Sequence, residues 1–211
     1  MHVFSSNFST STCGSFSLDG KLLVSGGDGA VAIWNPKDGS PLLTYCGGRF
    51  PQETAISIGM HATQPIIIVG FSEGSIAVIH LHYQQILFVQ KLGEESIEHV
   101  EFVKDHSMAL VASLNGSLTV IDTNTYRVRS ASTMGEFAGI TALKLLSDGR
   151  AITGSLNGTV SFWDVRSAES TVYSSPDNIE ENNTVYDIVE APQLGLLVAS
   201  FEDGKIRILL E

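Results

Sequence analysis

The sequence predicts an all-β fold made of about five repeated four-stranded units, on three observations. An acid or amide followed by glycine recurs between apolar runs, at Asp28-Gly29, Glu73-Gly74, Asn115-Gly116, Asn157-Gly158 and Asp203-Gly204. The steps between these glycines are 45, 42, 42 and 46 residues. The fifth residue after each glycine is apolar: Trp34, Ile79, Ile121, Trp163 and Leu209. A fixed offset within a period of about 40–45 residues is typical of β-propeller blades, each a sheet of four strands.

The fourth repeat gives the clearest strand pattern. Residues 140–146 alternate between apolar and polar as a half-buried strand does. Second, third and fourth strands are predicted at 150–155, 159–164 and 171–174. Asn157-Gly158 suits the tight turn between the second and third strands because that turn requires positive φ at its centre.

The other repeats follow the same order. The predicted strands are 12–17, 22–25, 30–34 and 41–45 in the first repeat, 55–60, 66–70, 75–80 and 86–90 in the second, 97–103, 109–113, 117–122 and 127–132 in the third, and 185–189, 196–200 and 205–210 in the fifth. We expect residues 1–211 to form one propeller domain with blades at about 10–47, 53–92, 95–134, 138–175 and 183–211.

The repeats resemble the WD40 family over nearly the whole chain. The best-matching segments are residues 24–35, which end in Trp34-Asn35, and residues 152–164, which end in Trp163-Asp164. No Gly-His pair opens any repeat, so the His–Ser/Thr–Trp–Asp tetrad of the family is incomplete. The fourth repeat retains Ser155, Trp163 and Asp164 for that tetrad.

The resemblance to this family implies a closed ring of seven or eight blades. Five blades would leave such a ring incomplete. We therefore expect the chain to be the C-terminal part of a longer propeller, or else an incomplete one that a partner completes. Residues 1–7, with His2-Val3-Phe4, are the candidate closing strand for the last blade. Closure would remove an exposed strand edge, which is an aggregation hazard.

A second, narrower resemblance concerns the segments Asp19-Gly-Lys, Gly39-Ser-Pro and 69–79. They are similar to the C-terminal blades of the family of the angio-associated migratory cell protein. That resemblance implies a ribosome-assembly chaperone, because a fungal member of the family holds the basic N-terminus of a new large-subunit ribosomal protein.

Composition limits the partners and the compartment. The net charge of −11 makes nucleic acid an unfavourable direct partner and favours a basic protein segment. Two cysteines, Cys13 and Cys46, are too few for a disulfide framework and favour a reducing compartment, the cytoplasm and also the nucleus. No secretory signal and no apolar run long enough to cross a membrane is visible.

The loops of a propeller blade fall alternately on the two faces of the ring, and assigning each loop to its face places most of the acidic residues on one face. Turns between second and third strands, with the connections between blades, carry the predicted partner-binding residues Asp28, Glu73, Glu94, Glu95, Glu136, Asp177, Glu180, Glu181, Glu202 and Asp203. The opposite face mixes bases with acids: Lys21, Lys37, Lys104, Arg127, Arg150, Arg166, Asp19, Asp38, Asp105 and Asp148. Acidic loops either keep a protein soluble or attract a Lys/Arg-rich segment, and we prefer the second interpretation. The candidate apolar anchors in or beside these loops are Phe50, Phe71, Phe137, Ile179 and Phe201, and we expect some of them to pack inward instead.

The sequence supports a catalytic or metal-binding site less well than it supports a protein-binding surface. His80 and His82 share one face of a strand end but no third ligand follows at a recognisable spacing. Cys13 and Cys46 have no visible base partner and are interpreted as small buried residues. The sequence thus predicts a non-enzymatic protein-binding scaffold with no cofactor and no metal. The alternative is an adaptor or substrate receptor of the ubiquitin-ligase or coat type, and an enzyme would need carboxylates or a metal at the ring centre.

Overall fold

The protein is all-β, as the sequence predicts. A computed structural model describes residues 10–17, 19–46, 52–104, 107–133, 139–167, 169–173 and 183–209. In these ranges 19 strands form five antiparallel sheets, four of which have four strands and the last of which has three. The chain divides into two compact units, Met1–Phe102 and Val103–Glu211.

The first unit contains two complete sheets whose strands are neighbours in chain order. The first sheet is formed by β1 (Ser11–Phe16), β2 (Leu23–Gly27), β3 (Ala30–Trp34) and β4 (Pro41–Cys46). The second sheet is formed by β5 (Ala55–Met60), β6 (Ile66–Phe71), β7 (Ser75–His80) and β8 (Gln85–Lys91). Strand β9 (Ile97–Phe102) ends the unit and packs against β5 and β6.

The second unit repeats this arrangement. In the third sheet of the chain, neighbouring strands are β10 (Met108–Ser113), β11 (Ser117–Asp122) and β12 (Arg127–Thr133). The fourth sheet is formed by β13 (Ile140–Leu145), β14 (Ala151–Ser155), β15 (Val160–Trp163) and β16 (Ser170–Tyr173). The fifth is formed by β17 (Val185–Ala191), β18 (Leu196–Phe201) and β19 (Ile206–Leu209), with a 3-10 helix at Pro192–Leu194.

The predicted strands are all found. Strands β3, β5, β7 and β11 have the predicted bounds, and the others differ by one or two residues at an end. The candidate closing strand, 1–7, lies outside the described residues. The single propeller domain over residues 1–211 stays a prediction.

The repeated acid- or amide-glycine pair forms the turn between the second and third strands. Gly29, Gly74, Gly116, Gly158 and Gly204 all have φ between 61° and 83°. In three of these turns the side chain before the glycine accepts a main-chain hydrogen bond: Asn115 Oδ1 from the Ser117 N–H, Asn157 Oδ1 from the Thr159 N–H and Asp203 Oδ1 from the Lys205 N–H, at 2.8–3.0 Å. An Asx side chain closes the turn while glycine supplies the left-handed conformation, which explains the motif.

A glycine in the second strand of the first, second and fourth sheets lets the first strand of the next sheet approach closely. A Cβ at Gly70 would lie 2.4 Å from Ile97 Cγ2, and a Cβ at Gly154 would lie 2.3 Å from Val185 Cγ1. Gly26 has the same relation to Ala55, at 2.7 Å. These contacts bury both faces of the inner strands, as in β3, where every residue is buried.

The end of the third strand carries the Trp-Asp feature of the repeat. Residues Asn35, His80, Asp122 and Asp164 each accept main-chain hydrogen bonds from the next turn, at 2.8–3.2 Å. His80 does so through Nδ1, so an imidazole replaces the acid without loss of the cap. The acid of the repeat is therefore a turn cap here.

The tryptophans hydrogen-bond to hydroxyls of the neighbouring strand. Trp34 Nε1 donates to Ser25 Oγ at 2.8 Å and Trp163 Nε1 donates to Thr153 Oγ1 at 2.7 Å. Two of the residues that the fourth repeat retains from the tetrad, Ser155 and Asp164, have partners other than Trp163. The Ser155 hydroxyl contacts Asn157 and Thr159 in the turn, and Asp164 caps the next turn.

Replacing Thr153 with valine tests the buried indole contact. The Thr153→Val substitution keeps the side-chain shape but leaves the buried Trp163 N–H without this acceptor, so we expect a loss of about 1–3 kcal/mol in the free energy of unfolding. Equilibrium urea denaturation measures this. The control is Thr171→Val on the exposed strand β16, where we expect a change within about 0.5 kcal/mol. Equal losses in the two variants would contradict the assignment.

Candidate functional site

Four predicted partner-binding residues of the first unit lie on loops that hydrogen bonds bring together. Asp28 forms a bridge with Thr54, whose hydroxyl donates to Asp28 Oδ1 at 3.3 Å. The Thr54 carbonyl in turn accepts from the Ser72 N–H at 2.9 Å, which places the Glu73 turn beside the same connector. The Leu92 N–H donates to the Gly74 carbonyl at 2.9 Å, so the segment with Glu94 and Glu95 lies against that turn.

Glu53 holds this set of loops in place and was missed in the sequence. Its Oε2 accepts from the N–H groups of Glu73 and Ser75 at 3.1 and 3.3 Å, and its Oε1 accepts from the Ser75 hydroxyl at 2.5 Å. Asn183 does the same in the last sheet, where its Oδ1 accepts from the Asp203 N–H at 3.0 Å. Both residues stand 21 positions before the glycine of their turn, a spacing that could have revealed them.

We define the acidic rim of the first unit as Asp28, Glu53, Glu73, Glu94 and Glu95. Asp28, Glu73, Glu94 and Glu95 are exposed and Glu53 is half-buried. Lys91 is the basic residue in contact: its Nζ lies 2.6 Å from Glu94 Oε2. The hydrogen bond to Glu94 raises the pKa of Lys91, and the charges of Glu53 and Glu73 add to the effect. The Lys91 ammonium thus interacts electrostatically with at least three carboxylates of the acidic rim.

Two predicted residues of the second unit, Glu202 and Asp203, lie within the described ranges, and they differ in how available they are to a partner. Asp203 Oδ2 pairs with Lys205 Nζ at 3.1 Å and with Arg207 Nη2 at 2.8 Å. Desolvation opposes ionisation of Asp203, but hydrogen bonds from Lys205 and Arg207 lower its pKa to about 2. Glu202 is exposed, and its Oε2 accepts from the Thr184 N–H at 3.3 Å. Asp203 already has cationic partners within the chain.

The remaining predicted acids lie outside the described residues: Glu136, Asp177, Glu180 and Glu181. So do the candidate anchors Phe50, Phe137 and Ile179.

Phe71 and Phe201 are among the candidate anchors that pack inward, and they are not surface anchors. Phe71 is 0% exposed in a core with Ile67 and Val69 of its own strand, and Phe201 is 3% exposed. Each is the last residue of a second strand and points inward. The Arg207 guanidinium lies over the Phe201 ring at 4.2 Å. Any apolar anchor for a partner on these loops must come from other residues.

His80 and Cys13 have other surroundings in the structure than a metal site or a catalytic site would give them. The His80 ring stacks on Tyr83 with centroids 4.2 Å apart, and its Nδ1 is the turn cap. Across the described ranges, no three His, Cys, Asp or Glu side chains converge as metal ligands would. Burial raises the pKa of the Cys13 thiol, which lowers its thiolate fraction and its nucleophilicity. The Cys46 side chain is outside the described set.

The pairing of Asp203 predicts a pH-dependent contribution to stability. Because the folded-state pKa is about 2 and the ordinary value is 3.8, the ionised carboxylate stabilises the fold above about pH 3.8 and loses this effect as the pH falls through about 2. We expect Asp203→Asn to be less stable than the natural protein near neutral pH, with the two denaturation midpoints converging below about pH 3.8. A difference that persisted undiminished at about pH 2 would contradict the ion pairs.

In the described part of the chain, no helix has the length and apolar character that crossing a membrane requires.

Comparisons with known proteins agree with the repeat pattern. The family model for the WD domain, G-beta repeat, matches residues 1–35 and 129–164. The angio-associated migratory cell proteins of Canis lupus familiaris, Homo sapiens and Pongo abelii are each 26% identical over 93% of the chain. The chain spans about half the length of these curated relatives, 48%.

Among solved structures, a chain in the crystal structure of the mitotic checkpoint complex has a TM-score of 0.78 at 14% identity. The match covers 92% of this chain and 59% of that chain, and it concerns the fold alone. The predicted WD40 resemblance and the likeness to angio-associated migratory cell protein are both confirmed. Two segments of the chain thus match the WD-domain repeat model, and the chain shares its all-β fold with that solved structure.

Proposed function

We propose that this WD40 scaffold is a non-enzymatic protein-binding module whose acidic rim captures a basic segment of a partner. One observation carries the proposal. In the described part of the first unit, Asp28, Glu53, Glu73, Glu94 and Glu95 lie on hydrogen-bonded neighbouring loops, with Lys91 as the base among them. A concentration of one sign of charge attracts and orients a segment of the opposite sign.

The strength of such binding comes from several weak contacts. An exposed ion pair contributes about 0–1 kcal/mol to binding, so a single carboxylate does not discriminate between partner segments. Several carboxylates facing one Lys/Arg-rich segment act together and raise the association rate. Lys91 already forms an ion pair with Glu94. A lysine or arginine of the partner must therefore displace Lys91 or share the Glu94 carboxylate with it.

The finer version of the proposal is a cytoplasmic and nuclear chaperone that shields a basic tail of a large-subunit ribosomal protein until assembly. The likeness to angio-associated migratory cell protein supports it. The alternative is an adaptor or substrate receptor in a larger complex of the ubiquitin-ligase or coat type. In either case the partner is a protein, and neither nucleic acid nor membrane is contacted directly.

Binding of a synthetic Lys/Arg-rich peptide tests the rim. We expect fluorescence anisotropy to show affinity that falls steeply between about 0.1 M and 1 M salt, where the Debye length shortens from about 10 Å to about 3 Å. Glu73→Lys should weaken binding at least about fivefold, because it removes one attraction and adds one repulsion. The control is Glu169→Lys, an equal charge change at an exposed turn before β16. Salt-independent affinity, or equal weakening by Glu169→Lys, would overturn the proposal.

Identification of the natural partner separates the chaperone from the adaptor. Affinity capture with the natural protein and with Glu73→Lys, followed by mass spectrometry, is expected to recover one basic ribosomal protein only with the natural protein. Recovery of ligase or coat subunits would instead support the adaptor and contradict the chaperone.

A further inference from the structure

Two histidines cap turns at the same end of the second sheet. His61 follows β5, and its Nδ1 accepts from the N–H groups of Thr63 and Gln64 at 3.1 and 3.0 Å. His80 ends β7, and its Nδ1 accepts from the Tyr83 N–H at 3.2 Å. A ring nitrogen that accepts a hydrogen bond carries no proton, so these contacts select the neutral tautomer with the proton on Nε2.

The equivalent caps described in the other sheets keep their acceptor at mildly acidic pH. At the end of the third strand the acceptors are Asn35, Asp122 and Asp164. Hydrogen bonds from the capped turns lower the pKa of Asp122 and of Asp164. At the end of β1 the Ser17 hydroxyl accepts from the Leu22 N–H at 2.9 Å. In the second sheet, by contrast, protonation near pH 6 removes the acceptor of a histidine cap.

The two histidine-capped turns, 61–65 and 81–84, are joined and line one cavity. The Leu81 N–H donates to the Pro65 carbonyl at 2.7 Å, which fixes one turn to the other. A cavity of about 550 Å³ is lined by residues 60–65 and 81–82 of the second sheet and by Lys21 and Leu22, among others, of the first. The positions of the two turns therefore set the shape of this cavity.

Burial favours the neutral ring of His61. The ring packs edge-on against Phe102 of β9 with centroids 5.0 Å apart, and desolvation lowers the pKa of His61. Because the folded-state pKa lies below the ordinary value of 6.5, the neutral ring stabilises the fold above about pH 6.5. That contribution is lost as the pH falls through the folded-state pKa.

Charged groups on the neighbouring elements leave this picture unchanged. The titratable residues on these elements are Asp19 and Lys21 on the β1–β2 turn, His82 and Tyr83 on the β7–β8 turn, and Glu98, His99 and Glu101 on β9. Lys91 ends β8 at the opposite end of the sheet. Hydrogen bonds from Ser17 and Lys21 lower the pKa of Asp19 to about 2, and its Oδ2 pairs with Lys21 Nζ at 3.1 Å. The acid that lines the cavity from the first sheet thus has its own counter-charge.

We propose that His61 and His80 form a pH-sensitive switch at this end of the second sheet. Near neutral pH both imidazoles are neutral and hold the turns 61–65 and 81–84 closed. Uptake of a proton from solvent at Nδ1, below about pH 6.5, converts each acceptor into a donor that opposes the main-chain N–H groups. Both turns then open, and the cavity that they line changes shape. The switch lies at the end of the sheet opposite to the Glu73 turn and does not rest on the proposed function.

Amide hydrogen exchange followed by NMR at about pH 7.5 and about pH 5.0 tests the switch. Protection factors remove the pH dependence of the intrinsic exchange rate. We expect the amides of Thr63, Gln64 and Tyr83 to lose about three- to tenfold in protection at the lower pH, the equivalent of one hydrogen bond. The internal controls are the amides that Asp122 and Asp164 cap, which should keep their protection.

Asparagine variants separate the histidine caps from a general effect of acid. Asn35 caps the equivalent turn of the first sheet, so the double variant His61→Asn with His80→Asn should keep both turns closed at either pH. His82→Gln is the matched control, because no main-chain hydrogen bond to the His82 ring is found in the described part of the chain, and it should behave as the natural protein. Loss of protection that persists in the double variant, equal loss at the aspartate-capped turns, or no loss in the natural protein would overturn the switch.

Long-range ¹H–¹⁵N NMR spectra of the natural protein give a second measurement that needs no variant. We expect both rings to carry the proton on Nε2 near pH 7.5, and the titration of the ring nitrogens to coincide with the loss of amide protection. A proton on Nδ1 of either ring near pH 7.5 would contradict the caps, and turns that open without ring protonation would contradict the switch.

Discussion

The close approach of a neighbouring strand to one glycine in each of three sheets is the constraint on which the packing of the fold depends. Gly26, Gly70 and Gly154 leave less room than a methyl group occupies, because a Cβ there would lie 2.3–2.7 Å from a side chain of the covering strand. Close-packed protein interiors have no voids that would accommodate an additional methyl group at these positions. The burial of both faces of β3 and of nearly all of β7 is consistent with this close packing of neighbouring sheets.

The sequence predicts the fold well because its information is local. Strand alternation and the Asx-glycine turn have fixed periods, and their recurrence at steps of 42–46 residues removes the ambiguity of any single repeat. The bounds of Ala30–Trp34, Ala55–Met60 and Ser75–His80 are predicted to the residue. The errors at other ends are small, but two of them have a consequence for the site.

The site is harder to predict because it depends on one-residue boundaries and on tertiary contacts. The predicted second strands ended at residues 70 and 200, which left Phe71 and Phe201 in loops; in the structure each strand continues by one residue and buries its phenylalanine. Ser155 is likewise one step of the strand alternation beyond Thr153, the residue that faces Trp163. Glu53 acts through a turn about 20 residues later, a relation that no local pattern contains and that only the shared spacing of Glu53 and Asn183 from their turn glycines indicates.

The three hydrogen bonds accepted by Glu53 also set how the loops around it behave as a unit. They fix the connector before β5 to the turn after β6 before any partner arrives. A surface that is already ordered loses little conformational entropy on association, so more of each contact formed remains as net affinity. One half-buried carboxylate, which itself need never touch a ligand, thereby makes its exposed neighbours a preorganised surface.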